Sequence, residues 1–569
     1  MDPSKTKSIT WDLVEEILKE CEYRDEETQV SEILAAFTLK LAFQDPVTGY
    51  KENEPLSESD VDELVENCIQ RILFDFSPSM ETIRMQAEYL GQYKSKESIL
   101  SEHSKALDHR LAPLTRTVVE DSSRTLSGRE ELYQKIVLLC VLRSGLGDPR
   151  DKFVMRESTL AVKSVFPFSE LEHFMKKEHK LDKRQHLIEL SSIVGGIRIF
   201  NWQAKQGTAQ FEDLPPMLSN ALEATLRNME CMMDYAEEKI KKMRDIGLNV
   251  FYFSKENEGH EEKEEYMDPR YKTIIRDSLI NYVQFQKYLK VIYEDVLSIR
   301  SRLIQYNKQL PRALNAAEKI ITSKPILPTI DVFPKFMTLS KIWHQYQEEI
   351  IVLSYFNSLN QKLHSFTRSI TKSTSLKKLK KLANSRINKK KITFAEEPLI
   401  FPIPKASERL LEFKLHYACN VIPHDDVYQV FEFDNGYCPV ALAETGLLLK
   451  GDKSIGILEY EDKLYVCSDY QKAERFAKAP ESILLEVKKL IKSCPTILRL
   501  FEMTNEDTEI PKKQNQSSQT NDGLPIEGFK DPDYEWSEWE YRKKALILVD
   551  TAHGVKQNEL GCQTDESLL

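Results

Sequence analysis

Apolar residues over the first 250 or so positions recur every third or fourth residue, the spacing of an amphipathic helix. Leu13, Val14, Ile17, Leu18 and Cys21 share one face, and VSEILAAFTLKLAF and DVDELVENCIQRILFDF keep the same period. LYQKIVLLCVLRSGLGDPR extends it until Gly145, Gly147 and Pro149 supply residues that break a helix. A further helix is expected through RQHLIELSSIVGGIRIFNW, where Gly195 and Gly196 stand side by side. A close crossing of two helices explains that pair better than a phosphate loop, which needs a preceding strand and a longer glycine pattern.

The period resumes after KENEGHEEKEEY at 255–266, an acidic loop or frayed helix start. Ile275, Leu279, Tyr282, Leu289, Ile292, Val296, Ile299 and Leu303 form a heptad-like seam, and Pro311 is expected to end that helix. Past SKPILPTIDVFPKF, a partner helix offers Leu339, Ile342, Trp343, Tyr346, Ile350 and Leu353. Two long helices with a short connection predict an antiparallel hairpin or part of a bundle over 266–365.

From about residue 398 the texture changes. SIGILEY and KLYVCS, separated by Glu461 and Asp462, predict a β-hairpin. DYQKAERFAKAPESIL predicts a helix with Tyr470, Ala473, Phe476 and Ala477 on one side. Together they read as a small α+β module over 398–505. Beyond it, NEDTEIPKKQNQSSQTNDGLPIEGFKDPD has the polar composition of a disordered segment. Within that tail DYEWSEWEYRKKALILV predicts a short helix, with Ser537 and Glu540 as its capping box.

Composition sharpens the class. A chain that is 41% hydrophobic and 30% charged, with only 18 glycines in 569 residues, suits a soluble helical protein rather than a turn-dense fold. No run approaches the roughly 18–20 apolar residues of a membrane span. The start, MDPSKTKSITWDLVEEIL, lacks an apolar signal core, so a cytosolic protein without a membrane partner is expected. The 9 cysteines include no C-x-x-C pair, which argues against a zinc ribbon or a thioredoxin-type site. Phosphate-loop, zinc-protease, nucleophile-elbow and kinase signatures are all missing, so no enzyme and no cofactor are expected. The stretch from GYCPVAL to APESIL resembles the YHS-type fold, in which several cysteines hold a metal. Only Cys438 and Cys467 are thiols here and no histidine lies near them in sequence, so both are expected to be core thiols.

Charge raises a separate question. The formal net charge is −11, yet residues 362–391 carry Lys362, Arg368, Lys372, Lys377, Lys378, Lys380, Lys381, Arg386, Lys389, Lys390 and Lys391 with no acidic residue among them. With no local partner in that window, these cations are expected to face solvent or an anion. A nuclear localisation signal, a nucleic-acid arm, a docking surface for an acidic polymer and a solvated linker all remain open. Between 372 and 391 there is no aromatic residue for base stacking, so nucleic acid is not the expected partner. Lysines act as point charges and suit a diffuse polyanion such as the glutamate-rich tails of tubulin.

Two further features mark the tail. SSQTND and GCQTDE share a Q-T core at Gln519–Thr520 and Gln563–Thr564. They resemble ligands of the dimeric dynein light chain, which binds a peptide as an added strand. Trp536 and Trp539 stand in polar surroundings and are expected to dock, on the α+β module or in a partner's groove.

LLCVLRSGLGDPR, SVFPFSELEHF, IVGGIRIFNW with DLPPML, SIGILEYEDKLYV and DYEWSEWEYRKKA occur in the order expected of the cilia- and flagella-associated protein 206 family. The chain resembles that family over nearly its whole length. The resemblance implies an axonemal adaptor of motile cilia and flagella that docks the second radial spoke and an associated inner-arm dynein onto the doublet microtubule. It implies partners among tubulin, radial spoke proteins and inner-arm dynein, and a place in the cytoplasm, cytoskeleton and axoneme, with the basal body as a further site. The basic tract has no counterpart in the family pattern, and its role as the microtubule contact is read from its charges. A helical scaffold that binds nucleic acid or another polyanion is the alternative. The expected fold is a mainly α-helical multi-domain protein with a small C-terminal α+β module and a disordered tail. Its segments are a helical domain at 1–250, the hairpin at 266–365, a basic linker at 366–397, the module at 398–505 and the tail at 506–569.

Overall fold

The computed structural model of the protein describes residues 3–25, 30–44, 58–205, 212–256, 269–323, 328–372, 420–422 and 436–501. Among them the chain is mainly helical, as its periodicity predicts. The helices are α1 (Pro3–Arg24), α2 (Glu32–Gln44), α3 (Glu58–Phe74), α4 (Pro78–Gln92), α5 (Lys96–Glu120), α6 (Leu126–Ser144), α7 (Lys152–Val165), α8 (Leu171–Lys176) and α9 (Lys180–Gln203). Three long helices follow, α10 (Leu214–Glu256), α11 (Pro269–Ser323) and α12 (Thr329–Lys372). A sheet of β1 (Asn420–Ile422), β2 (Ile457–Tyr460) and β3 (Lys463–Val466) comes with α13 (Pro439–Thr445), α14 (Tyr470–Lys478), α15 (Pro480–Ser493) and α16 (Pro495–Leu500).

Contacts divide the chain into two units, one of residues 1–93, 232–290 and 360–520, the other of 94–231, 291–359 and 521–569. The sequential segments expected from the sequence group differently here, because α10, α11 and α12 each give residues to both units. A long helix exposes enough apolar seam for different stretches to enter different cores. The heptad-like seam is buried at every predicted position from Ile275 to Leu303, and so is its counterpart from Leu339 to Leu353. Pro311 does not end α11, which continues to Ser323. Proline removes one helical hydrogen bond at a cost of about 3 kcal/mol, but Tyr306, Leu310 and Ala317 on either side are all buried, and that burial carries the helix through.

In the first unit, α1, α2 and α3 close around Leu13, Ile17, Cys21, Leu39, Leu64 and Ile69. Arg84 of α4 donates to the carbonyls of Ile72 at 2.9 Å and Asp75 at 2.7 Å, satisfying the end of α3. The predicted hairpin is β2–β3. Glu461 and Asp462 form its turn with φ of 52° and 60°, the left-handed pair of a tight hairpin turn. β1 pairs antiparallel with the other edge of β2. The single helix expected over 469–484 is two, because Pro480 opens α15 at a position where its missing N–H costs nothing. The described residues of the module share most of their core with the long helices. Val440, Leu442, Leu447 and Phe476 share one cluster with Ile240 and Met243 of α10 and Ile275 and Leu279 of α11. Arg244 of α10 reaches the carbonyl of Leu448 at 2.9 Å.

A polar ladder crosses this same unit. Gln86 Nε2 donates to Gln284 Oε1 at 2.9 Å and to the Thr496 carbonyl at 3.1 Å, and Asn281 Nδ2 donates to Thr82 Oγ1 at 3.1 Å. All four side chains are buried, so each bond fixes register as well as satisfying a desolvated group. Tyr89 and Tyr288 stack beside it, with centroids 3.7 Å apart.

In the second unit, α5 to α9 pack around Leu132, Ile136, Leu139, Val162, Phe174, Leu187 and Leu190. α6 ends as predicted, with Gly145 at φ 62° as its left-handed cap. The reading of Gly195–Gly196 as a helix crossing also holds: a Cβ on Gly196 would lie 1.9 Å from the Phe336 carbonyl oxygen of α12. Glu349 of α12 is fully buried and receives Lys96 Nζ at 2.5 Å, Arg302 at 2.7 and 3.0 Å and the Tyr306 hydroxyl at 3.3 Å.

Candidate functional site

The basic tract starts on α12, and its first turn is anchored in the first unit. Leu363, Thr367 and Ile370 are buried along one face, while Lys362 and Arg368 are exposed on the other. His364 lies between these faces, stacked on Phe285 at 5.6 Å and edge-on to Tyr235 at 5.9 Å. Burial, with Arg368 nearby, lowers the His364 pKa to about 4. The imidazole is therefore neutral at physiological pH and acts as a flat apolar spacer. Lys239 sits 4.8 Å over the Tyr235 ring on the adjoining surface.

The cations of 362–391 have no acidic partner within the window and were expected to face solvent or an anion; for Lys362 the anion is in the fold, its Nζ lying 3.0 Å from a carboxylate oxygen of Glu88 on α4. Sequence inspection of the window could not find it because the partner lies 274 residues away. The basic linker was expected to begin at 366, whereas α12 continues to Lys372, held by Thr367 and Ile370 in the core. Lys377, Lys378, Lys380, Lys381, Arg386, Lys389, Lys390 and Lys391 lie outside the described residues, as do Gln519, Thr520, Trp536, Trp539, Gln563 and Thr564 and the capping box of Ser537 and Glu540.

Cys438 and Cys467 meet in the core of the first unit, both fully buried. Cys438 stands at the start of α13, and its Sγ accepts the Ala441 amide at 3.5 Å. The Cys467 thiol and the Ser468 amide and hydroxyl also donate to it, and together they lower the Cys438 pKa to about 6 against the burial that opposes this. Cys467 moves the other way, raised by donating to Cys438 and by burial. The two shifts have opposite signs because one thiol donates to the other, so the pair titrates as a unit. Among the described residues no third His, Cys, Asp or Glu joins them to make a metal-ligating group. A depressed folded pKa stabilises the fold above the unfolded thiol value and loses that contribution as the pH falls through the folded value. The stability gap between the native chain and Cys438→Ala should therefore widen as the pH rises from about 6 to about 8.5. Urea midpoints across that range check it, and a gap that narrows would show that Cys438 keeps its proton.

No helix among the described residues is long and apolar enough to cross a membrane. The FAP206 family model, described as a domain of unknown function, matches residues 217–508. The chain is 30% identical to cilia- and flagella-associated protein 206 of Bos taurus, over 100% of its own length and 90% of that protein. It is 31% identical to the protein of that name in Rattus norvegicus, over 97% and 88% of the two chains. Against that of Tetrahymena thermophila the identity is 24%, over 97% and 89%. No solved structure matches the chain.

Proposed function

This chain belongs to the cilia- and flagella-associated protein 206 family, and we propose that it is a structural adaptor of the axoneme in motile cilia and flagella. In this reading it docks the second radial spoke, with its inner-arm dynein, onto the doublet microtubule and so supports beating and sperm motility. The observation that carries the reading is the collinear match over the whole chain to relatives named for cilia and flagella. The described architecture suits the role. Long helices with buried seams, a polar ladder in one unit and an ion cluster around the buried Glu349 in the other stiffen each unit as a platform for attachment. α12 gives the basic tract a fixed root at Lys372, and the lysines beyond it supply diffuse attraction to acidic tubulin tails.

The test is co-sedimentation of the full chain with taxol-stabilised microtubules across a salt series. Lys377, Lys378, Lys380, Lys381, Arg386, Lys389, Lys390 and Lys391 are replaced by serine in the variant. Exposed charge contacts contribute a few tenths of a kcal/mol each, so eight of them amount to about 2 kcal/mol, more than tenfold in affinity at low salt. The difference should fade at high salt, where exposed charges are screened within about 8–10 Å. It should also vanish on tubulin whose tails have been cleaved. Equal binding of both proteins to native microtubules would remove the tract from the contact.

A further inference from the structure

α7 presents a face that the other described residues leave exposed. Val154, Ser158, Ala161 and Val162 are buried on its inner side, against α6 and α9. On its outer side Phe153 and Leu160 remain 58% and 62% exposed. Single exposed apolar residues are ordinary on protein surfaces. These two are seven positions apart, so they stand on one line about 10 Å apart along the axis. Lys152, Arg156 and Lys163 are exposed beside them. At about 100° per residue, all five fall within one sector of roughly 100°.

The two acidic residues of this stretch, Asp151 and Glu157, are committed elsewhere. Asp151 caps the helix, its side chain accepting from the Phe153 amide at 2.8 Å. Glu157 turns inward, its carboxylate 3.9 Å from the Arg198 guanidinium. The outer face is therefore cationic with an apolar centre, on a chain whose net charge is −11.

Resting on the adaptor reading, we propose that this face of α7 is a second microtubule contact, one that engages the folded tubulin lattice rather than its tails. Charge complementarity selects an acidic partner. The apolar pair selects one that offers recesses for Phe153 and Leu160, which a glutamate-rich tail lacks and a folded acidic surface supplies. The contact differs from the lysine tract in two measurable ways. It survives cleavage of the tails, and it is less sensitive to salt because part of it is apolar burial.

Full-length chain is compared with Phe153→Ser/Leu160→Ser and with Arg156→Glu/Lys163→Glu, and with Leu181→Ser as a control at another exposed apolar position. Each is made with the basic tract intact and with its lysines and arginine changed to serine. All are sedimented with native and tail-cleaved microtubules, and a thermal melt matching the native chain verifies folding. Both α7 variants should lose about tenfold or more in affinity, as expected for an apolar anchor or a reversed charge pair at a contact. The loss should be equal on tail-cleaved microtubules, and Leu181→Ser should bind like the native chain. Binding lowered by the tract variant but unchanged by the α7 variants would overturn this inference and leave the adaptor reading standing. No binding of the native chain to either lattice would overturn it too, with the adaptor reading then resting on family alone. Two controls overturn it in other directions: loss of binding to phosphatidylserine vesicles or loss of self-association by the α7 variants, with microtubule binding retained. The first would make the face a lipid contact, the second a contact between copies.

Discussion

Glu349→Ala should destabilise the chain by about 3 kcal/mol, because it leaves two cations and a phenol facing a hole where a carboxylate stood. Glu349 is fully buried, and its two oxygens receive Lys96, both arms of Arg302 and the Tyr306 hydroxyl. The Tyr306 pKa is raised to about 12, by burial first and by the Glu349 charge second, so the phenol stays a donor throughout the neutral range. Breaking a buried ion cluster costs about 3–5 kcal/mol. The lower end applies because the Lys96 and Arg302 side chains are 21% and 29% exposed and can turn partly to water. Trp202 and Trp343 lie edge-to-face at 5.6 Å in the same unit and report its unfolding by fluorescence. With a slope of about 3 kcal/mol per molar urea, the midpoint should fall by about 1 M. The fall should persist in about 0.5 M salt, since buried pairs are little screened. Glu349→Gln, which keeps the shape and one acceptor, should fall by less. A midpoint unchanged in Glu349→Ala would mean that the cations rehydrate without cost.

Most of the helical frame was legible because it is written in local periodicity. The seam of α11 from Ile275 to Leu303 and that of α12 from Leu339 to Leu353 are buried where their spacing places them. Gly145 ends α6 and Glu461–Asp462 turn the hairpin, each through a backbone conformation that a neighbouring sequence signal anticipates. Pro311 was misread for a specific reason: its local penalty is visible in the sequence, while the burial of Tyr306, Leu310 and Ala317 that outweighs it is not. The sharing of the α+β module's core with α10 and α11 was not legible, since nothing local tells Leu447 and Phe476 that their neighbours are Ile240 and Ile275.

Site-level features depended on distance along the chain. The Gln86–Gln284 bond spans 198 positions and the Lys362–Glu88 pair 274. The available signal was a polar residue at an apolar position of a helical repeat, as at Gln86, Gln284 and Glu349. That signal identifies a buried polar group without naming its partner. Cys438 and Cys467 were placed correctly in the core, but the lowered pKa of Cys438 comes from the Cys467, Ala441 and Ser468 donors, which only the fold assembles.

The two adjacent glycines allow a comparison in which one substitution should be tolerated and the other should not. A Cβ at Gly195 would meet the Ser340 hydroxyl at 3.1 Å, the end of a side chain that can rotate away. Gly195→Ala should therefore be near neutral, with a helix-propensity gain of up to about 1 kcal/mol offsetting the crowding. At Gly196 the obstacle is backbone: the carbonyl oxygen of Phe336 at 1.9 Å and its carbon at 2.4 Å. Neither can turn aside, so α9 and α12 must separate, and the contacts between them are lost along with it. Overpacking of this kind costs about 3 kcal/mol, and the propensity gain of about 1 leaves a net loss of about 2 kcal/mol for Gly196→Ala. Trp202 on α9 and Trp343 on α12 are joined across this same crossing, so separation should alter their fluorescence in the folded state as well as lower the urea midpoint. Equal midpoints for the two alanine variants would show that the crossing yields by sliding rather than by parting. If only Gly196→Ala moves both readouts, the glycine pair is there for one contact, at Phe336, and Gly195 is the dispensable member.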